Sequence, residues 1–115
     1  MTFSEIRENF FSVLKKNDVP IFLQGSMSVE EKYPNLFITY FITEVSDHFA
    51  DNKQIFSSAN FDVAVYGKNI SSVEELSEKI KENFLKENFQ FVIGGDVASD
   101  EKNFFGFMQR FTKLF

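Results

Sequence analysis

The run Leu36 to Val45, LFITYFITEV, constrains this chain more than any other stretch. It is ten residues of mostly β-branched and aromatic side chains, and its one charge, Glu44, comes near the end. Both alternating sets are largely apolar. Leu36, Ile38, Tyr40 and Ile42 share one side, and Phe37, Phe41 and Val45 the other. A strand that is apolar on both faces is normally covered on both. The run is therefore expected inside a small sheet, and the rest of the chain must supply its cover.

The first cover is a helix. Thr2-Phe3-Ser4-Glu5 reads as a capping box, in which a hydroxyl and a carboxylate satisfy the free N–H groups of a first turn. Phe3, Ile6, Phe10 and Val13 follow at helical spacing, widened by Phe11 and Leu14. Lys15 and Lys16 suit the negative end of the macrodipole, and Asn17-Asp18 breaks the helix ahead of Pro20. The first helix is expected over about Thr2 to Lys16. Val19 to Leu23 is a short extended segment. A loop from Gly25 to Pro34 leads into the central strand.

Beyond that strand, Ser46 to Gln54 is polar and acidic. It is expected to be the long tip of an antiparallel hairpin. The returning strand runs from Ile55 to Tyr66, with Phe61, Val63 and Val65 on one face and Asn60, Asp62, Ala64 and Tyr66 on the other. Gly67-Lys68-Asn69 turns the chain. Ser71 and Ser72, each followed three residues later by Glu74 and Glu75, read as overlapping capping boxes. Val73, Leu76, Ile80 and Phe84 form the stripe of a second helix, about Val73 to Lys86. Glu75–Lys79 and Glu82–Lys86 are candidate i,i+4 pairs on its outer side. Phe89 to Ile93 is a third strand. Gly94-Gly95 permits a bulge or a bend, Asp96 to Asn103 is expected to be a loop, although Val97-Ala98 could prolong the strand, and Phe104 to Leu114 is a last strand. The expected fold is a single α+β domain over residues 1–115, in the order α-β-β-α-β-β. Two helices pack on a four-stranded, mainly antiparallel sheet, to which a short strand near Ile21 could be added, with Phe10, Ile38, Ile80 and Phe84 in the core.

The length of 115 residues suits one domain. The chain holds 17 phenylalanines and no cysteine. An AT-rich coding sequence would give such a count, and so would subunit interfaces that consume aromatic surface. Without cysteine, disulfide and thiolate chemistry are excluded; a reducing cytoplasm is consistent with this. The apolar runs are shorter than the roughly 20 residues of a membrane span, and the N-terminus lacks the pattern of a signal peptide. A net charge of -5 argues against a dedicated nucleic-acid binder.

No catalytic constellation stands out, and the chain is expected not to be an enzyme. His48 is the one histidine. It sits between Asp47 and Asp51 in the hairpin tip, where a solvated residue is expected rather than a general base. Asp47, His48 and Asp51 match no established metal spacing, so neither a metal nor a cofactor is expected. Gly94-Gly95-Asp96 lacks the lysine and hydroxyl of a phosphate loop. The aromatic strand Phe104 to Phe111 invites comparison with RNA-stacking sheets, but its only basic neighbours are Arg110 and Lys113.

Tyr33 to Tyr66 combines a hydrophobic strand, an acidic turn containing Asp51-Asn52-Lys53, and a strand ending FDVAVYGKN. It is followed by VEELSEKIKENF, Val73 to Phe84, and by FQFVIGGDVASDEKNFFGFMQRF, Phe89 to Phe111. In this order the chain resembles the small head–tail junction proteins of long-tailed phages of low-GC Gram-positive bacteria. In those proteins, too, a strand ends near a Gly-Gly pair, an acidic loop follows, and the last strand carries an Arg-Phe dipeptide, here Arg110-Phe111. The likeness runs from the first helix to the end and is strongest to tail terminators, the tail-to-head joining proteins.

That resemblance implies an α+β subunit of a hexameric ring. The ring would cap the tail tube, touching the major tail tube protein on one side and a head-completion or connector protein on the other. Its place would be the virion, after synthesis in the host cytoplasm. DNA could pass through it without specific binding. It implies no catalytic residues and no membrane. Asp47, His48, Phe49, Asp51, Asn52 and Lys53, at the hairpin tip, are the candidate interface loop. A different reading of the same residues is a small cytoplasmic α+β binding or regulatory module, monomeric or dimeric.

Overall fold

The computed structural model describes residues 2–24, 33–99 and 103–115. Its elements are α1 (Phe3–Leu14), β1 (Ile21–Leu23), β2 (Leu36–Ala50), β3 (Lys53–Gly67), α2 (Ile70–Lys86), β4 (Gln90–Val97) and β5 (Phe105–Leu114). The sheet has five strands in the order β1-β2-β3-β5-β4, not four. The addition is β1, only three residues long, which pairs parallel to β2 through Ile21↔Ile38 to Leu23↔Tyr40. The remaining pairings are antiparallel. Because β3 and β4 run the same way on either side of β5, a crossover must join them, and α2 supplies it. Most of the expected Gly25–Pro34 loop, and part of the Asp96–Asn103 loop, lie outside the described residues.

Local chemistry explains the helix ends. The Thr2 hydroxyl accepts from the Glu5 N–H at 3.3 Å, and the Thr2 N–H donates to Glu5 Oε1 at 3.4 Å, closing the capping box. The second helix begins earlier than its serines suggest. Asn69 is its N-cap, accepting from the Ser72 N–H at 3.2 Å. An asparagine already in extended backbone conformation caps as well as serine does. At the other end, Lys113 Nζ donates to the Glu87 carbonyl at 2.6 Å. That places a cation where the helix leaves its carbonyls free. The two expected charge pairs along α2 are not the ion pairs the fold makes. Among the described residues those are Lys16–Glu87 at 3.7 Å and Asp62–Arg110 at 2.8 Å.

Both helices lie on one face of the sheet, as the pattern required. Phe10 stacks on Phe61 at 4.4 Å and on Phe84 at 5.3 Å, and Phe84 meets Phe111 at 4.6 Å. Phe10, Ile38, Ile80 and Phe84 are all fully buried. Phe107, Gln109 and Phe111 of β5 share this face with Val65, Val63 and Phe61. The phenylalanines expected to invite comparison with RNA-binding sheets thus lie largely under the helices. Gln109 is buried among them and donates to the Ser77 carbonyl at 2.8 Å.

The opposite face differs from the expectation that β2 is covered on both sides. Among the described residues cover exists only at its start, where Phe37 is buried among Phe22, Tyr33, Tyr66 and Phe104. Further along the strand, Phe41 is 46% exposed. The middle of this face is polar. Asp62 takes Arg110 in a two-pronged pair, Nε at 2.8 Å and Nη2 at 3.2 Å.

Candidate interface at the β2–β3 hairpin

The expected long tip from Ser46 to Gln54 is not a loop. β2 continues to Ala50 and β3 begins at Lys53, leaving only Asp51 and Asn52 to turn the chain. Both have positive φ, 51° and 62°. Two such residues in succession match the right-handed twist of the strands they join. Asparagine and aspartate tolerate that conformation better than other non-glycine residues.

The register explains why this ribbon stands clear of the body. β5 pairs with β3 as far as Ser58↔Leu114, and Phe115 completes the ladder with two backbone hydrogen bonds to Ser57. Among the described residues, the hairpin beyond Ser57 has only its own two strands. The molecule measures 52 × 28 × 22 Å, and this ribbon projects past the end of the sheet.

The structure places the six predicted residues as follows. Asp47 is paired opposite Ser57, whose hydroxyl donates to Asp47 Oδ1 at 2.5 Å; Gln54 Nε2 donates to the same oxygen at 3.1 Å and to the Ser57 Oγ at 2.8 Å. His48 is exposed to solvent and also has partners. Its ring stacks on Phe56 at 4.4 Å, and Nε2 lies 2.9 Å from the Ser58 hydroxyl. Phe49 is 63% exposed, Asp51 and Asn52 form the turn, and Lys53 opposes Ala50. The network holds the ribbon in one twist, with a phenylalanine, two acids and a lysine near its end.

Sequence reasoning missed the apolar partners from the other strand. Ile55 is 61% exposed and Phe56 lies under the histidine. Val45, at the base of the ribbon, is half-exposed. Two register shifts, between Ile42 and Glu44 and between His48 and Phe49, break simple alternation, so a period of two could not be followed through the tip. The one signal was Asp51-Asn52 itself, a short turn pair between two strand-like runs.

Arg110, on the open face of the sheet, is held above the ordinary arginine range. The cause is first its hydrogen bond with Asp62, then the charge of Asp62, with a smaller contribution from Glu44. It is a fixed positive charge in a negative surround. Among the described residues no group of three or more His, Cys, Asp or Glu side chains is placed to hold a metal ion. No helix of the described residues is long and apolar enough to cross a membrane.

No protein-family model and no curated protein matches the sequence. Among solved structures, the fold is similar to the sheath/tube terminator of an extracellular contractile injection system, PVC, in its extended state, with a TM-score of 0.46 and 7% sequence identity. The alignment covers 100% of this chain and 57% of that one, so the chain spans little more than half the length of the protein it matches.

Proposed function

We propose that this chain is a non-enzymatic structural subunit of a phage virion, a tail terminator. Six copies close into a ring on the last layer of tail-tube protein, stop its growth, and offer the other side of the ring to a head-completion or connector protein. The observation that carries this reading is the β2–β3 ribbon. It is a two-stranded arm beyond the body of the sheet, with Phe49 and Ile55 more than 60% exposed. Apolar side chains on a projecting arm gain by docking on another protein. The ordered resemblance from the first helix to Arg110-Phe111 supplies the kind of partner.

The charge fits as well. A subunit of net charge -5 suits a conduit that must let DNA pass without gripping its phosphates. The test is electron microscopy of particles assembled without this protein. Tails of abnormal length that do not join filled heads are expected. Tails of normal length, attached to heads, would overturn the reading and favour a small binding module instead.

A further inference from the structure

We infer that a hollow between α2 and β4 receives the tip of a neighbouring copy's β2–β3 ribbon, with the Lys53 ammonium seated between Glu74 and Glu78. This rests on the ring reading and names the contact that joins one subunit to the next. The hollow holds about 160 Å³. A space of about 150 Å³ accommodates a benzene-sized group, so one side chain fits it. α2 lines it with Glu74, Ser77, Glu78 and Lys81, and the strands line it with Phe91 and Phe107. Gly94 leaves these two rings their room. A Cβ there would lie 3.2 Å from Phe91 and 3.4 Å from Phe107.

The polar groups of the hollow are incomplete within one chain. Glu74 and Glu78 are exposed, about one helical turn apart, and neither has an ion pair among the described residues. Like charges at that spacing repel. The cation in the lining is turned elsewhere, since Lys81 Nζ lies over the Phe91 ring, 4.1 Å from its centroid. Ser77 is 4% exposed, and its hydroxyl has no hydrogen-bond partner among the described residues. An ammonium carries three donors, one for each of these acceptors. Two carboxylates and one ammonium leave one negative charge over, which a single incoming cation cancels.

The chain's own cations point to the guest. Arg7, Lys68 and Lys81 lie over the rings of Phe11, Phe104 and Phe91. Lys16 and Arg110 are in ion pairs, and Lys113 donates to the Glu87 carbonyl. Among the described residues Lys15, Lys53, Lys79 and Lys86 are left. Lys79 and Lys86 belong to α2 itself. Lys53 stands at the end of the projecting ribbon, near Phe49 and Ile55, both more than 60% exposed. It can therefore bring an apolar side chain to the hollow together with its charge. The acids of the tip do not oppose this. Asp47 Oδ1 accepts from Ser57 and Gln54, and Asp51 in the turn has Lys81 as its opposite charge.

A chain cannot fill its own hollow. Gln109, which also lines it, pairs with Val63, ten residues along β3 from Lys53. At the rise of a strand that is about 30 Å. The contact thus joins two different surfaces of two copies, which is what a closed ring needs. A rotation carries no shift along its own axis, so the strands must lie steeply inclined to the axis of the ring.

Carbodiimide joins an amine to a carboxylate only where the two touch. Applied to concentrated protein and to purified tails, it should give multimers on a denaturing gel in which mass spectrometry finds Lys53 joined to Glu74 or Glu78. Lys53→Glu and Glu78→Lys should each weaken association at least about tenfold without loss of Tm. The double variant should recover it. So should a mixture of the two single variants, since each tip then meets an opposite charge in the other's hollow. Lys15→Glu should associate like the wild type. Ser77→Ala should weaken association while the Tm of the subunit holds or rises. Three results would overturn the inference: no such link in either preparation, association of Lys53→Glu as strong as wild type, or no recovery in the double variant. If rings are seen on tails without the link, the contact fails and the terminator reading stands. If the link forms but tails made without the protein are normal, the contact stands and the terminator reading fails.

Discussion

Gly106 lies directly across from Tyr66 in the β3–β5 ladder. A Cβ on it would come within 2.6 Å of the Tyr66 ring and 2.9 Å of Val97. The ring is held in place by stacking on Phe37 at 5.4 Å, so it cannot simply swing away. Gly106→Ala should lower stability by about 1–3 kcal/mol, as overpacking does, measured by urea denaturation. Ile80→Ala, in the fully buried stripe of α2, should cost about 2–5 kcal/mol by the same measurement. Ser77 predicts the opposite sign. Its hydroxyl is buried with no hydrogen-bond partner among the described residues, so Ser77→Ala should be neutral or stabilising by up to about 1 kcal/mol. A loss larger than that would mean the hydroxyl has a partner. The Asp62–Arg110 pair is partly exposed, at 20% and 38% of the side chains. Arg110→Ala should therefore cost no more than about 1 kcal/mol. Because its raised pKa lies far above neutrality, this contribution should stay constant as pH rises from 7 to 9 and fade only where arginine itself would deprotonate.

At the scale of elements, the parts legible in the sequence were those with a core to face. The stripes of α1 and α2, and the alternation Phe61-Val63-Val65, follow from burial against one another and were readable for that reason. The ribbon from Ser46 to Phe56 has no buried face to impose a pattern, and its strands looked like a loop. β1 was too short to show a period. β4 was expected over Phe89 to Ile93 with an extension to Val97-Ala98 left open, and it takes the longer course, through both glycines to Val97, because pairing with β5 holds them extended. The capping of α2 was placed two residues late, since serine and asparagine compete for the same role. The candidate tip residues were correctly located in the chain and wrongly pictured as loop. Replacing His48 to Phe56 by Asn-Gly would join Asp47 to Ser57, which already pair and hydrogen-bond, through a two-residue turn. The shortened protein should melt as a single transition near the wild-type Tm and give tails that are not capped. Normal capping by this variant would show that the ribbon is dispensable.

For the whole molecule, the order of strands in the sheet differs from their order in the chain. β5 is the last strand made and lies between β3 and β4. The described α2–β4 contacts are few beside those of β4 with β5, so β4 has little to hold it until β5 arrives. While the last strand is still inside the ribosome, the nascent chain can form α1, the β2–β3 hairpin and α2. It cannot finish its sheet, and β3 is left as an open edge. The Phe111 ring, which meets Phe84 under the helices, is also missing at that stage. The sheet is complete only once the chain has emerged as far as Phe115, whose backbone closes on Ser57. β4 takes its outer position only when β5 has filled the gap between it and β3, so the outer edge of the sheet is the last part of the fold to be set.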